Sequence, residues 1–143
     1  VDQPEIIPAA DDSIPTGEGK ILVMDDEVMI LDLVKEMLER SGYQVETAAD
    51  GDEAVRHYLH AMDNGDSFDA VIMDLTIPGG MGGKEAVSTI AVHDKSVKAI
   101  ASSGYSNDPI MANPRDFGFV AVVPKPYQLK ELCDTVRRVI LET

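Results

Sequence analysis

The stretch Lys20-Ile21-Leu22-Val23-Met24-Asp25-Asp26 decides how the rest of the chain is read. An apolar run of strand length stops at two adjacent carboxylates. Glu27 to Ser41 then carries Ile30, Val34, Met37 and Leu38 on one helical face, and Gly42 stands where a helix C-terminal glycine belongs. That is one strand-helix unit, and the pattern repeats. Further strand candidates are Gln44 to Ala48, Asp69 to Met73, Val97 to Ser102 and Phe119 to Val123. Asp50 followed by Glu53 makes a capping-box-like start for a helix to about Asn64, and another is expected from about Gly83 to His93. Asp108-Pro109 caps a fourth helix, which Pro114 should keep short or irregular. The last, from about Gln128 to Leu141, aligns Leu129, Leu132, Cys133, Val136 and Ile140, so Cys133 reads as a small core residue.

Alternating strands and helices of this kind predict an α/β fold, a doubly wound (βα)5 sandwich on a parallel sheet with right-handed crossovers. The length of 143 residues and 44% hydrophobic content suit a single domain with one sizeable core. With 26 acidic against 12 basic side chains the net charge is -14, which argues against nucleic acid or an anionic membrane surface as the partner. No apolar run reaches the roughly 18 to 20 residues of a membrane span, and the start lacks a signal-peptide pattern. The single cysteine excludes an internal disulfide and fits a reducing compartment, so the cytoplasm is the expected location. Residues 1–19 hold Pro4, Pro8 and Pro15 and five acids with no base, and are expected to form an extended acidic linker or tail before a domain over 20–143.

In a doubly wound sheet, ligands bind at the carboxyl ends of the strands. Here those ends carry Asp25-Asp26, Asp74, Ser102-Ser103-Gly104 and Pro124-Lys125-Pro126. Three carboxylates in one pocket need a cation, and an all-oxygen set suits Mg2+ or Mn2+. A carboxylate beside such a metal can attack phosphorus, with the metal, a lysine and a hydroxyl neutralising the phosphoryl oxygens. The constellation reads as a carboxylate phosphorylated with metal assistance. His57 and His60, three apart on the second helix, are expected on a solvated face because no cysteine or carboxylate was found at ligand spacing.

The runs Ile21-Leu22-Val23-Met24-Asp25-Asp26-Glu27 and Val71-Ile72-Met73-Asp74-Leu75-Thr76-Ile77-Pro78, with Ser103-Gly104-Tyr105 and Pro124-Lys125-Pro126-Tyr127, resemble the receiver domain of two-component response regulators. The resemblance covers about residues 19–142 and implies the flavodoxin-like sheet order 2-1-3-4-5. It implies that Asp74 is the phosphoacceptor, charged by a phosphohistidine on a histidine kinase or phosphotransfer domain, and that the acyl phosphate is slowly hydrolysed. It also implies that Asp26 and Asp74 bind Mg2+ directly, Asp25 through water, and the Thr76 backbone carbonyl completes the protein ligands. Ser103 and Lys125 would each meet a phosphoryl oxygen, and the Lys125-Pro126 bond resembles one that is cis in the family.

Two departures stand out. Val122 occupies the position of the family's usual aromatic switch residue, and the loop Pro78-Gly79-Gly80-Met81-Gly82-Gly83 is unusually rich in glycine, which predicts a mobile segment. A metal-dependent phosphohydrolase working through an aspartyl phosphate is the competing reading. Haloacid-dehalogenase-like enzymes carry a second Asp two residues after the nucleophile, where this sequence has Thr76. A degenerate receiver used only for protein binding would lack one of Asp26, Asp74 and Lys125, and all three are present. The Asp74 run and the Ser103-Gly104-Tyr105-Ser106 step are most similar to receivers fused to the C-terminus of sensor histidine kinases. That origin implies a parent chain that is a histidine kinase, while the domain itself only catalyses its own phosphoryl transfer and dephosphorylation.

Overall fold

A computed structural model describes residues 17–105 and 107–142. Five strands, β1 (Lys20–Met24), β2 (Gln44–Ala48), β3 (Ala70–Asp74), β4 (Ala99–Ser103) and β5 (Ala121–Pro124), form one parallel sheet in the order β2-β1-β3-β4-β5. Helices α1 (Val28–Arg40), α2 (Gly51–Asp63), α3 (Gly83–His93), α4 (Pro109–Ala112) and α5 (Leu129–Leu141) connect or follow them. The chain steps one way from β1 to β2 and the other way to β3, which opens a crevice at the carboxyl ends of β1 and β3.

Strand parity sorts the core into two layers. Ile21, Val23, Ile72, Ile100 and Val123 pack against Leu31, Val34 and Leu38 of α1 and Leu132, Cys133 and Val136 of α5. The alternate residues Leu22, Met24, Val71, Met73 and Ala101 pack against Ala54 and Tyr58 of α2, Val87 and Ile90 of α3 and Ile110 of α4. The central strands are buried on both faces, which is why they read as continuous apolar runs, whereas β2 at the edge exposes Gln44 and Glu46. Cys133 lies in the core with its thiol 3.1 Å from Ser41 Oγ, and burial pushes that thiol up despite the Ser41 contact.

Several boundaries move from the sequence expectation. The strand expected over Asp69 to Met73 begins at Ala70 and includes Asp74, because Asp69 Oδ2 takes the Lys20 amide (2.8 Å) at the sheet's lower rim. Val97 stays outside β4, its amide turned to Asp94 O, and Phe119 stays outside β5, its amide bound to Pro114 O. In α1 the fully inward residue is Leu31, and Ile30 is half-buried. Asp50 Oδ1 accepts the Glu53 amide (2.9 Å), but Glu53 reaches back to the Ala49 amide (2.7 Å) rather than to Asp50.

The fourth helix is short, as expected. Asp108 Oδ1 caps Ile110 N (2.9 Å), and after one turn Pro114–Phe117 continues as a 3-10 turn closed by Gly118 at φ +91°. Of the expected linker, residues 1–16 lie outside the described residues, as does Ser106. Gly17 and Gly19 are tied to the body through Gly17 N to Ser41 O and Gln44 N to Gly19 O, both 2.9 Å.

Candidate phosphoacceptor and metal site

The crevice predicted by the strand order holds the predicted side chains. Asp25, Asp26 and Asp74 each offer a carboxylate oxygen within 4.8 Å of the others, the only such cluster of three among the described residues. Parity explains which of them meet: Asp25, Asp74 and Lys125 fall on the α1/α5 side of the sheet, each at a strand's last or next position. Lys125 Nζ stands 2.6 Å from Asp25 Oδ2 and 3.2 Å from Asp74 Oδ2. Its backbone amide donates to Ser103 O (3.0 Å), and the Lys125-Pro126 bond is cis, as the resemblance implied.

Asp25 and Asp74 are almost wholly buried, while Asp26 is exposed. Burial pushes the Asp74 carboxyl above the ordinary carboxylate range; the Lys125 ammonium pulls the other way and the Asp25 charge adds to the rise. Burial alone would lower the Lys125 ammonium, but its bond to Asp25 and the charges of Asp74 and Asp25 outweigh that and hold it above its usual value. Asp25 Oδ2 is buried against the Lys125 ammonium. Three clustered carboxylates, two of them buried, are a donor set that fits a hard divalent cation.

Asp26, Glu27, Asp74, Thr76, Pro78, Gly104, Tyr105 and Lys125 line an open cleft of about 400 Å³. Thr76 donates its amide to Asp74 Oδ1 (3.2 Å). Ser103 is buried, and its Oγ accepts the Tyr105 amide (2.9 Å), which leaves the hydroxyl proton free to donate elsewhere. The glycine-rich loop is anchored where the Met81 carbonyl takes the Gly51 amide (2.8 Å). At Gly83 a Cβ would lie 2.8 Å from Met73 Cβ and 2.9 Å from Asp74 O, so glycine allows α3 to start directly against the acidic strand end.

The sequence reading missed two things. Lys125 approaches Asp25 more closely than Asp74, and Ser102 bonds the Tyr127 hydroxyl beneath the site. The signal for the second was parity: adjacent serines on a strand face opposite sides. Val122 is half-buried in the α2/α3 layer and Phe119 is buried in the same layer.

A larger cleft, about 530 Å³, lies by α2 and the starts of β1 and β2, but its Lys20 is already held by Asp66 (2.9 Å) and Glu46 (3.5 Å). His57 sits there with carboxylates on both sides, Glu46 at 3.7 Å and Glu53 at 3.6 Å, which corrects the expectation that none was at hand. The two histidines still do not converge, because His60 Nε2 pairs with Asn64 Nδ2 (3.0 Å). No helix among the described residues is long and apolar enough to cross a membrane.

A family model described as the response regulator receiver domain matches residues 21–137. Sporulation initiation phosphotransferase F of Bacillus subtilis (strain 168) is 30% identical over 121 residues, covering 83% of this chain and 91% of that protein. Sensor kinase CckA of Brucella abortus (strain 2308) is 33% identical over 129 residues, 87% of this chain but 13% of the kinase. The chain likewise spans 25% of the regulator ResD and 49% of the regulator CpxR. Among solved structures, the receiver domain of sensor histidine kinase PA1611 from Pseudomonas aeruginosa PAO1, with a magnesium ion coordinated in its active site cleft, is similar. It gives a TM-score of 0.76 at 26% identity, covering 88% of this chain and 100% of that one.

Proposed function

This chain belongs to the response regulator receiver domain family of two-component systems, and from that premise we propose that Asp74 accepts a phosphoryl group from a phosphohistidine. The observation that carries the assignment is the buried Asp74 carboxylate sharing Lys125 with Asp25 at the mouth of the cleft. In the transfer, an Asp74 carboxylate oxygen forms a bond to phosphorus as the bond from phosphorus to the donor imidazole nitrogen breaks, and the departing ring takes its proton from water. Lys125 pairs with one phosphoryl oxygen. The Ser103 hydroxyl donates to another, turning from its present place beneath the Tyr105 amide toward the cleft.

Asp26 and Asp74 would hold Mg2+ directly, Asp25 through water, with the Thr76 carbonyl as the remaining protein ligand; the same oxygens suit Mn2+. The bound cation supplies charge neutralisation for the carboxylates and the phosphoryl oxygens. The reading rests on the acidic cluster and the burial of Asp25 and Asp74 within it, and the magnesium reported for the PA1611 receiver supports it.

We place the receiver over residues 20–143 and a linker over 1–19, in a cytoplasmic part of a parent chain. The donor is a phosphohistidine-bearing kinase or phosphotransfer domain, and a hybrid sensor kinase is the favoured parent, supported by the likeness to CckA and PA1611. Intact-mass spectrometry after incubation with acetyl phosphate tests the core of this. One added phosphoryl group that needs Mg2+ and vanishes in Asp74→Asn is the expected result; an adduct that persists in Asp74→Asn, or none with phosphodonor and histidine-kinase donors alike, would overturn it.

A further inference from the structure

The most informative unassigned feature is a buried pair of hydroxyls directly under the acidic cluster. Ser102 and Tyr127 hydrogen-bond each other through their side-chain oxygens, and both are almost wholly inaccessible. Ser102 is the register partner of Asp74 on the neighbouring strand, and its carbonyl accepts the Leu75 amide (3.0 Å). Tyr127 is two residues beyond Lys125 and packs in the α1/α5 layer. The segment that carries the lysine is therefore fastened to β4 at both ends: by Lys125 N to Ser103 O on one side and by the Tyr127 phenol to Ser102 on the other.

We propose that the Ser102–Tyr127 hydrogen bond is a positioning device for Lys125, fixing the loop after β5 so that the ammonium reaches both Asp25 and Asp74. Only β4 offers such an anchor, because it is the strand that lies between the acidic end of β3 and the loop carrying the lysine. Tyr127 never touches the phosphoryl group; it acts through Lys125. A phenol is suited to the task because its ring fills the apolar layer while its hydroxyl reaches Ser102 beneath the site. A phenylalanine would keep the packing and lose the tether, leaving the Ser102 hydroxyl without its partner. The inference rests on the phosphoacceptor reading for its consequence, but its geometric content stands independently.

The test uses Tyr127→Phe, Ser102→Ala and the double variant of the same chain, with two readouts. The first is the side-chain ammonium NMR signal of Lys125 in 15N-labelled protein. Held between two carboxylates, it is expected to be resolved in the parent and to broaden into exchange with water in each variant. The second is the phosphorylation rate from acetyl phosphate at saturating Mg2+. It is expected to fall on the order of tenfold or more in either single variant, since misplacing a positioned group carries such a cost. The double variant should fall no further. If thermal stability drops while the ammonium signal and the rate stay as in the parent, the pair is structural only and the proposal fails. Additive rate losses would also overturn it. Should the parent take up no phosphoryl group from acetyl phosphate or from a histidine-kinase donor, the Asp74 assignment falls, while the ammonium signal still decides whether the pair positions Lys125; and if Tyr127→Phe does not fold, Ser102→Ala carries the same comparison.

Discussion

Replacing Asp74 by asparagine should make the metal-free protein more stable, and the structure gives the sign. At an effective dielectric of about 20, the Lys125 ammonium at 3.2 Å attracts the Asp74 carboxylate by roughly 5 kcal/mol. The Asp25 carboxylate, within 4.8 Å, repels it by roughly 3.5 kcal/mol on the same scale, and exposed Asp26 adds a smaller, screened repulsion. The repulsion is a minimum, because 4.8 Å is the outer limit of the separation, so at most about 1.5 kcal/mol of attraction survives. What remains is the cost of burying a charged carboxylate, which is the leading cause of the raised Asp74 pKa. A group whose folded pKa lies above its unfolded value destabilises the fold at neutral pH, where both states are ionised. The neutral isostere removes that penalty, so in EDTA the urea midpoint and Tm of Asp74→Asn should lie above those of the parent. Mg2+ should invert the ranking: at about a hundred times its Kd it stabilises the parent by about 2.7 kcal/mol, while Asp74→Asn has lost one of three carboxylates. Urea titrations of both proteins in EDTA and in saturating Mg2+ measure this. An Asp74→Asn protein less stable than the parent by more than about 1 kcal/mol in EDTA would refute the reasoning, because attraction to Lys125 would then outweigh burial.

Two further outcomes follow from the packing around the site. Gly83→Ala should destabilise by about 1–3 kcal/mol and slow phosphorylation of Asp74, since the new methyl meets Met73 Cβ and Asp74 O at under 3 Å; Tm and intact-mass kinetics read the two effects. Tyr58→Phe should cost about 1–2 kcal/mol at pH 7 by removing the 2.6 Å bond from its hydroxyl to Asp94. The pH dependence has a definite sign at both ends. Asp94 is held below the ordinary carboxylate range, first by Ser96 and then by Tyr58, so its contribution is present above that range and fades as pH falls through the lowered value. Burial and then the Asp94 bond push Tyr58 far up, so the unfolded tyrosine ionises first and stability drops above about pH 10. In Tyr58→Phe the alkaline drop should shrink and the acid limb should become shallower, as urea midpoints across pH would record.

The sheet and the acidic crevice were legible because each depends on a local pattern that tertiary structure had no reason to override. Buried parallel strands must be apolar on both faces, so β1 and β3 announce themselves, and the first charge after each one marks the strand's end. Edges were less legible: Asp69 looks like a strand residue but spends its amide and carboxylate on Lys20 at the start of β1, and Val97 turns its amide to Asp94. The inward face of α1 was misjudged at Ile30 because the choice between it and Leu31 depends on where the helix begins. Lys125 was assigned to the right pocket, but its preference for Asp25 depends on a distance difference that no spacing encodes. The Ser102–Tyr127 bond joins positions 25 apart in the chain, and only the register of β3 on β4 reveals that it lies under Asp74.

Ser102 and Ser103 are chemically identical neighbours that face opposite layers, one tethered to Tyr127 and the other to the Tyr105 turn. Their identities are thus fixed by counting. Deleting one residue of β4 before the serines would turn both to the opposite face, setting Ser103 in the place of Ser102 and Gly104 in the place of Ser103. An insertion of the same size in the loop after β4 would leave both in place. The site therefore tolerates variation in the connections around it far better than an odd-numbered length change in the strands that end there, a constraint on how such a domain can drift that no single substitution would disclose.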